Sequence, residues 1–443
     1  MKKKITTVIL CAVLFLTLGF MPVVKRYIAG QGPLFKLIVL SPAHPHGVHT
    51  QQAFSHLFHK EVSVYAASRA DMQTSYLDYI ERFNKKSKEQ DAWRLQIYTG
   101  ADYLEKMLQE KKGDIALIAS NNQLKSTYIL KTAKAGINVL ADKPMALTAS
   151  DFEMLENAFQ VAERQGNYIS DLPSMSMRRF VPYILQKELI ATPEVFGVLI
   201  KGTAENPAVI QKNNHLYWKG SKRPAWFFDV KQQGNGLTDV TTHLVDIVQW
   251  SCFPETPIDY RKDIHITSAK TWATEITPAQ FKKATAMDAY PDYLNEYAKD
   301  SVLQIHSNGE IDYTLKGTHV QIISTWGFES IAGEKDSYES IIRGSKATLR
   351  IEAGNRADVF IEPNGGDLTG IEEALQANFT RIKMKYPYLS LSREKKGWRI
   401  SSEKNQIDGE KEIVPPSRWE CHNMLAKYYT TTQAYQIAEM TKK

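Results

Sequence analysis

Cysteine is scarce: the chain of 443 residues has three. Cys11 lies within an N-terminal apolar run, so only Cys252 and Cys421 remain, which excludes a disulfide framework. Each reads as a small buried hydrophobe. Charge of one sign is scarce too. The net charge is +6, yet lysine and arginine are spread thinly, with short runs at "NKKSK" and "REKKGWR" that read as solvated faces. There is no basic stripe with interleaved aromatics, so no nucleic-acid partner is expected. Internal repeats and low-complexity segments are also missing. What is present is an ordinary globular composition, 43% hydrophobic and 10% aromatic. The length predicts about two or three domains.

The N-terminus departs from that composition. "MKKK" is followed by the uncharged "ITTVILCAVLFLTLGFMPVV", long enough to cross a bilayer. Residues 1–30 are therefore expected to be a signal peptide or membrane anchor. No small-x-small cleavage site follows the run, and Leu10 precedes Cys11 where a lipobox needs a small residue, so the anchor is favoured. The body is expected to be exported, either periplasmic or held at the outer face of the cytoplasmic membrane.

From Phe35 to about Pro144, the runs "FKLIVL", "VSVYAAS", "DIALIAS" and "NVLAD" alternate with helical segments. They lack polar alternation, as parallel strands covered on both faces do. A helix is expected over Ala149–Gln165, then a strand at "YISDLP". Residues 31–173 thus predict a Rossmann-like parallel-sheet domain of the α/β class. Over 174–367, the longer candidates "VFGVLIKGT", "DIHITSAKTWA", "SVLQIHSNGEIDYTL", "HVQIISTWGF" and "ATLRIEA" predict an α+β domain with a large, mostly antiparallel open sheet. Asn308-Gly309 is a hairpin signal. Residues 368–443 read as a C-terminal extension of a helix, two strands and a final helix.

Two stretches carry chemistry. In "GNGLTDVTTHLVDIVQW", helical spacing from Leu237 puts Asp239, His243 and Asp246 at i, i+4 and i+7. A carboxylate on that face can tune the imidazole as a general base, although such pairs are also common on plain helix surfaces. In "NVLADKPMALTASD", Asp142, Lys143 and Pro144 follow a parallel strand at its carboxyl end, where open α/β sheets place their ligands. A lysine there can steady a developing alkoxide.

Taken in order, strand, "DKP", helix, second domain and "GxGxxDxxxHxxD" resemble the glucose-fructose oxidoreductase, inositol dehydrogenase and rhizopine-catabolism (Gfo/Idh/MocA) family. The resemblance covers roughly residues 35–355. It extends to secreted bacterial members with an added oxidoreductase-type C-terminal domain. It implies that Lys143 touches the nicotinamide region and the substrate hydroxyl, that His243 is the acid/base, and that Asp239 is a substrate-binding partner on the same helix face. Asp142 stands where the family has glutamate.

The turn "SPAHPHGVH" occupies the position where such folds carry G-x-G-x-x-G, and only Gly47 remains. Its three histidines can be a phosphate-side loop, metal ligands or an ordinary turn. His44 and His46 flank Pro45 and His49 begins a helix, so convergence is not expected and no metal site is predicted. Ser41, His44, His46 and Gly47 are taken as cofactor-side residues. The strand end at Ser68 and Arg69 favours NADP, while Asp71 keeps NAD open. Ser120, Asn121 and Asn122 are further cofactor-loop candidates, with Asp142. Arg223 and Trp226, ahead of the glycine turn, are candidates to line a sugar pocket or to pack in the core.

The function these readings predict is an NAD(P)-dependent oxidoreductase on a sugar, glycoside or polyol hydroxyl, with the NAD or NADP tightly retained because free cofactor is scarce outside the cytoplasm. Redox-neutral glycoside cleavage with retained NAD, and a sugar-binding protein that has lost its cofactor, stay open. A homo-oligomer packed through the open sheet face is implied by the resemblance.

Overall fold

A computed structural model describes residues 35–173, 176–215, 222–328, 336–353, 357–366, 368–407 and 417–441. Residues 1–30, expected to be an export or anchor segment, lie outside the described residues. Among the described residues, no helix is long and apolar enough to cross a membrane.

The first sheet contains β1 (Phe35–Leu40), β2 (Phe58–Ala66), β3 (Arg94–Thr99), β4 (Ile115–Ile118), β5 (Asn138–Ala141) and β6 (Ile169–Asp171) in the order β3-β2-β1-β4-β5-β6. All its pairings are parallel. β4 is buried along its whole length, and so is β1 from Leu37 onward, because helices cover both faces. This order reverses direction between β1 and β4, which opens a crevice at their carboxyl ends. Around it lie the helices α1 (His46–Ala53), α2 (Lys125–Lys134) and α3 (Ala149–Gln165). A Thr148/Asp151 capping box starts α3, and Gly166 in the left-handed region stops it.

The second sheet has ten strands. β7 (Val209–His215), β8 (Ile264–Ile276), β10 (Val302–Leu315), β11 (Thr318–Trp326), β12 (Ser337–Arg343), β13 (Ala347–Ala353), β14 (Ala357–Pro363), β15 (Leu389–Glu394) and β16 (Gly397–Ser402) run in the order β15-β16-β14-β13-β12-β7-β11-β10-β8. The short β9 (Ala298–Lys299) pairs with β10. Only β7 with β11 is parallel. One face carries α4 (Val181–Ile190) and α5 (Thr241–Cys252). One hydrophobic core runs from the first sheet through these helices to the second, so the two domains pack as a unit.

The tail is not an appendage. After α6 (Leu368–Lys385), β15 and β16 extend the second sheet at its edge. The last helix, α7 (Arg418–Thr441), packs against α3, α5 and β8. Lys427 and Tyr428 bond Asp171 at the end of β6, the tyrosine hydroxyl donating at 2.7 Å.

Three local expectations are corrected. "VFGVLIKGT" is not a strand: Pro193 starts a helical turn over Pro193–Phe196 and Gly197, at φ 76°, ends it; the strand is β7 instead. Asn308-Gly309 makes no hairpin. It is an irregularity inside β10, and the reversal falls at Lys316-Gly317, both at positive φ, as a tight β-hairpin turn requires. The site helix begins at Thr241 rather than Leu237, because residues 235–240 are used by the turn that precedes it.

Candidate active site

The glycine turn is shaped by close backbone contact. A Cβ on Gly236 would lie 2.1 Å from the carbonyl carbon of Asn308, so only glycine lets this turn seat against β10. Asn308 completes the seat, its side-chain oxygen accepting from the Trp326 N–H at 2.8 Å. The turn delivers Asp239 just ahead of α5 and His243 in its first turn.

Lys143 arrives from the other domain, at the end of β5 after the backbone of Asp142, and the Lys143–Pro144 peptide is cis. Its ammonium donates to Asp239 Oδ1 at 2.6 Å, and Gln233 Nε2 donates to Asp239 Oδ2 at 3.0 Å. Burial pushes the Asp239 carboxyl up, but Lys143 and these hydrogen bonds outweigh it and hold the group below the usual range. Lys143, Asp239 and His243 line one cavity of about 300 Å³, walled also by Phe227, Trp326, Tyr338 and His215.

Among the described residues, no carboxylate hydrogen-bonds the His243 side chain. Asp239 is engaged by Lys143 and Gln233, and Asp246 takes a two-pronged bond from Arg178 at 2.8 and 2.7 Å. Burial, then the charges of Lys143 and Lys427, lowers the His243 pKa well below its ordinary value. The imidazole is therefore neutral at physiological pH, the form a base needs.

The histidine turn takes an unforeseen form. His46 Nδ1 is 2.9 Å from Asp142 Oδ2, and His44 Nδ1 is 3.8 Å from the same oxygen, so two of the three histidines do converge. Pro45 turns the chain between them and their rings lie 3.8 Å apart. His49 does not join; its ring meets the edge of Tyr79 inside the first domain. Ser41 sits at φ 48°, and the amides of Ala43 and His44 both donate to the Ala119 carbonyl, at 3.0 and 2.9 Å. Gly47 seats α1 on β4, where a Cβ would stand 2.8 Å from Leu117.

The other candidates divide. Arg223 lines the cavity, with Nη1 3.3 Å from His44 Nε2. Trp226 does not; it packs beside Phe227 in an aromatic cluster, and Phe227 forms the wall. Ser120, Asn121 and Asn122 also lie off the cavity. Asn121 donates to Gln232, and Asn122 to the Gln233 carbonyl at 2.7 Å, joining the domains. Ser68 and Arg69 are away from the cavity at the end of β2, where the Ser68 N–H donates to Asp71 at 3.1 Å. Sequence reasoning missed Gln233, Arg178 and Lys427. Gln233 directly precedes the glycine turn; the other two are distant in sequence and only packing brings them in.

A parallel sheet in this order, with lysine, carboxylate and neutral imidazole on one cavity at its carboxyl edge, defines the class: an α/β oxidoreductase fold with a second, mostly antiparallel sheet domain. The family follows from comparison. Residues 63–170 match the model described as "Oxidoreductase family, NAD-binding Rossmann fold" of Gfo/Idh/MocA, and residues 185–439 match "Putative oxidoreductase C terminal domain". The chain belongs to the Gfo/Idh/MocA oxidoreductase family. A "putative oxidoreductase" from Parabacteroides merdae is 38% identical, with TM-score 0.86, over 92% of this chain and 98% of that one. The WlbA dehydrogenase of Bordetella pertussis, solved with NADH and UDP-GlcNAcA, shares the fold at 14% identity, TM-score 0.50, over 92% and 97% of the two chains. A 3-ketoreductase of Actinomadura kijaniata, solved with NADP and TDP-benzene, does so at 13% identity, TM-score 0.51, over 91% and 97%. No curated protein matches the chain.

Proposed function

We propose that the protein is an NAD(P)-dependent oxidoreductase acting on a CH–OH group of a sugar, glycoside or polyol. The observation that carries this reading is the Lys143–Asp239 bond across the domain junction, beside the neutral His243 on the same cavity. The neighbours solved with nicotinamide cofactors and nucleotide-linked ligands support it by fold.

A dinucleotide fits the arrangement through side chains more than through backbone. Lys143 and Arg223 present cationic donors on the cavity wall, next to the crevice between β1 and β4. The Ala43 and His44 amides are already bonded to Ala119, so they are not offered to a diphosphate. Arg223 would therefore hold the cofactor's polar end. A bound nicotinamide would supply the hydride acceptor or donor for the reacting carbon. Lys143 steadies the oxygen on that carbon as charge develops, and Asp239 aims the ammonium. His243 takes the hydroxyl proton in oxidation and returns it in reduction. Phe227 and Trp326 exclude water from one side.

The expected export, membrane anchoring and homo-oligomer remain part of the proposal, resting on "MKKK" and its apolar run and on the resemblance. A second reading, a sugar-binding protein without cofactor, is favoured by the committed turn amides. The test is turnover of a panel of sugars and polyols with NAD⁺ and NADP⁺, comparing wild type with His243→Ala. Turnover by the wild type that His243→Ala abolishes supports the reading; turnover unchanged in a folded His243→Ala protein removes the proton-transfer role.

A further inference from the structure

We propose that His44, His46 and Asp142 form a binding site for one divalent transition cation of the zinc type, with its remaining coordination positions facing the cavity. The inference does not depend on the dinucleotide reading. The three side chains each offer a ligand atom, and these atoms lie within 4.8 Å of one another. Two imidazoles and one carboxylate are the three-ligand set of zinc sites that keep a position open for water or substrate. His44 and His46 both line the cavity that holds Lys143 and His243, so that open position meets the same space.

A second observation points to a cation at this place. Asp142 is 3% exposed, and among the described residues its buried Oδ1 has no hydrogen-bond partner, while Oδ2 is met within hydrogen-bond distance by His46 alone. A buried carboxylate is costly unless its oxygens are paired or coordinate a metal. The nearby cations are engaged elsewhere. Lys125 donates to Asn122, and Lys143 donates to Asp239. The turn itself is braced for the role, pinned to Ala119 by two amides and kinked at Pro45, so both imidazoles are held toward one carboxylate. It is also where this chain leaves the family pattern: the match to the NAD-binding model starts at residue 63, beyond β1 and the turn. Where glycines would leave bare backbone, this chain has built a donor set.

Arg223 sets a condition. Ligation through His44 Nδ1 leaves a proton on Nε2, the nitrogen that Arg223 Nη1 now faces at 3.3 Å. Loading therefore moves the guanidinium off that nitrogen.

The experiment uses the full chain in detergent, stripped with a chelator and titrated with Co²⁺ alone, read by the visible absorption of low-coordinate Co²⁺ and by metal stoichiometry. The expected result is uptake of one equivalent, displaced by Zn²⁺. Asp142→Asn and His46→Ala, each checked for fold by circular dichroism, are expected to weaken uptake by about 100-fold or more, at or beyond the range that loss of an outer-shell partner alone gives. His49→Ala, in the same helix but turned to Tyr79, is expected to leave it unchanged. Absence of one-equivalent uptake, or uptake unaltered in folded Asp142→Asn and His46→Ala proteins, overturns the site. NAD(H) and NADP(H) are titrated separately, so a failure of cofactor binding with Co²⁺ uptake intact counts against the proposed function and not against the metal site.

Discussion

Lys143 and Asp239 come from different domains, 96 positions apart, and meet at 2.6 Å between ammonium and Oδ1. The bond fixes the lysine at the carboxyl end of β5 and makes the cavity a joint product of both sheets. Lys143→Met is expected to lower kcat/KM by about 100-fold or more, the order seen on losing one oxyanion donor. Asp239→Asn, which keeps the shape but not the charge, is expected to cost less. Steady-state kinetics of the two variants checks the ranking.

The pH dependence of catalysis follows from His243. Its pKa is lowered by burial, then by Lys143 and Lys427, so the ring stays neutral below the ordinary imidazole range and the acid limb of kcat/KM lies below about pH 6.5. Lys427→Met removes one of those charges. The acid limb is expected to move to higher pH in that variant, measured as kcat/KM against pH.

Stability in acid follows from Asp246. Burial raises its pKa, but Arg178 and Lys427 outweigh that and bring it down to about 2, from 3.8. A depressed carboxylate contributes stability that is present above its unfolded pKa and lost as pH falls through the folded one, here between about pH 4 and 2. Asp246→Asn is expected to destabilise the fold by about 3 kcal/mol at neutral pH and to flatten that acid-side loss. Urea unfolding at several pH values measures both.

Gly236 has no room for a side chain, since a Cβ would come within 2.1 Å of Asn308 backbone. Gly236→Ala is expected to cost more than about 2 kcal/mol, because neither strand backbone nor turn can yield cheaply. Thermal denaturation is the check. Trp226→Ala is expected to lower the melting temperature while leaving KM unchanged, since that ring packs beside Phe227 and off the cavity.

Much of the fold was legible. The unbroken apolar runs of β1 and β4 announce a sheet covered on both sides, and the helix Ala149–Gln165 is marked at both ends by Thr148 and Gly166. Lys143, Asp239 and His243 could be found because each sits in a local motif. Local signals misled where tertiary contacts decide. Asn308-Gly309 has hairpin chemistry, yet it lies within a strand because Gly236 packs on it. The pairing of His44 and His46 with Asp142 joins residues 98 and 96 positions apart, which no spacing rule in the turn reveals. Arg178 reaches Asp246 across 68 positions, and Lys427 joins them because α7 folds back onto α5.

The cavity is proposed to work with a nicotinamide cofactor. The most direct test is to denature the full-length purified protein, analyse the released small molecules for NAD(H) and NADP(H), and titrate both into stripped, folded protein by calorimetry. Released dinucleotide, or binding of either one weakened by Lys143→Met, is the predicted result. No release and no binding of either would contradict the claim, and would leave a carbohydrate-binding protein without cofactor as the better description.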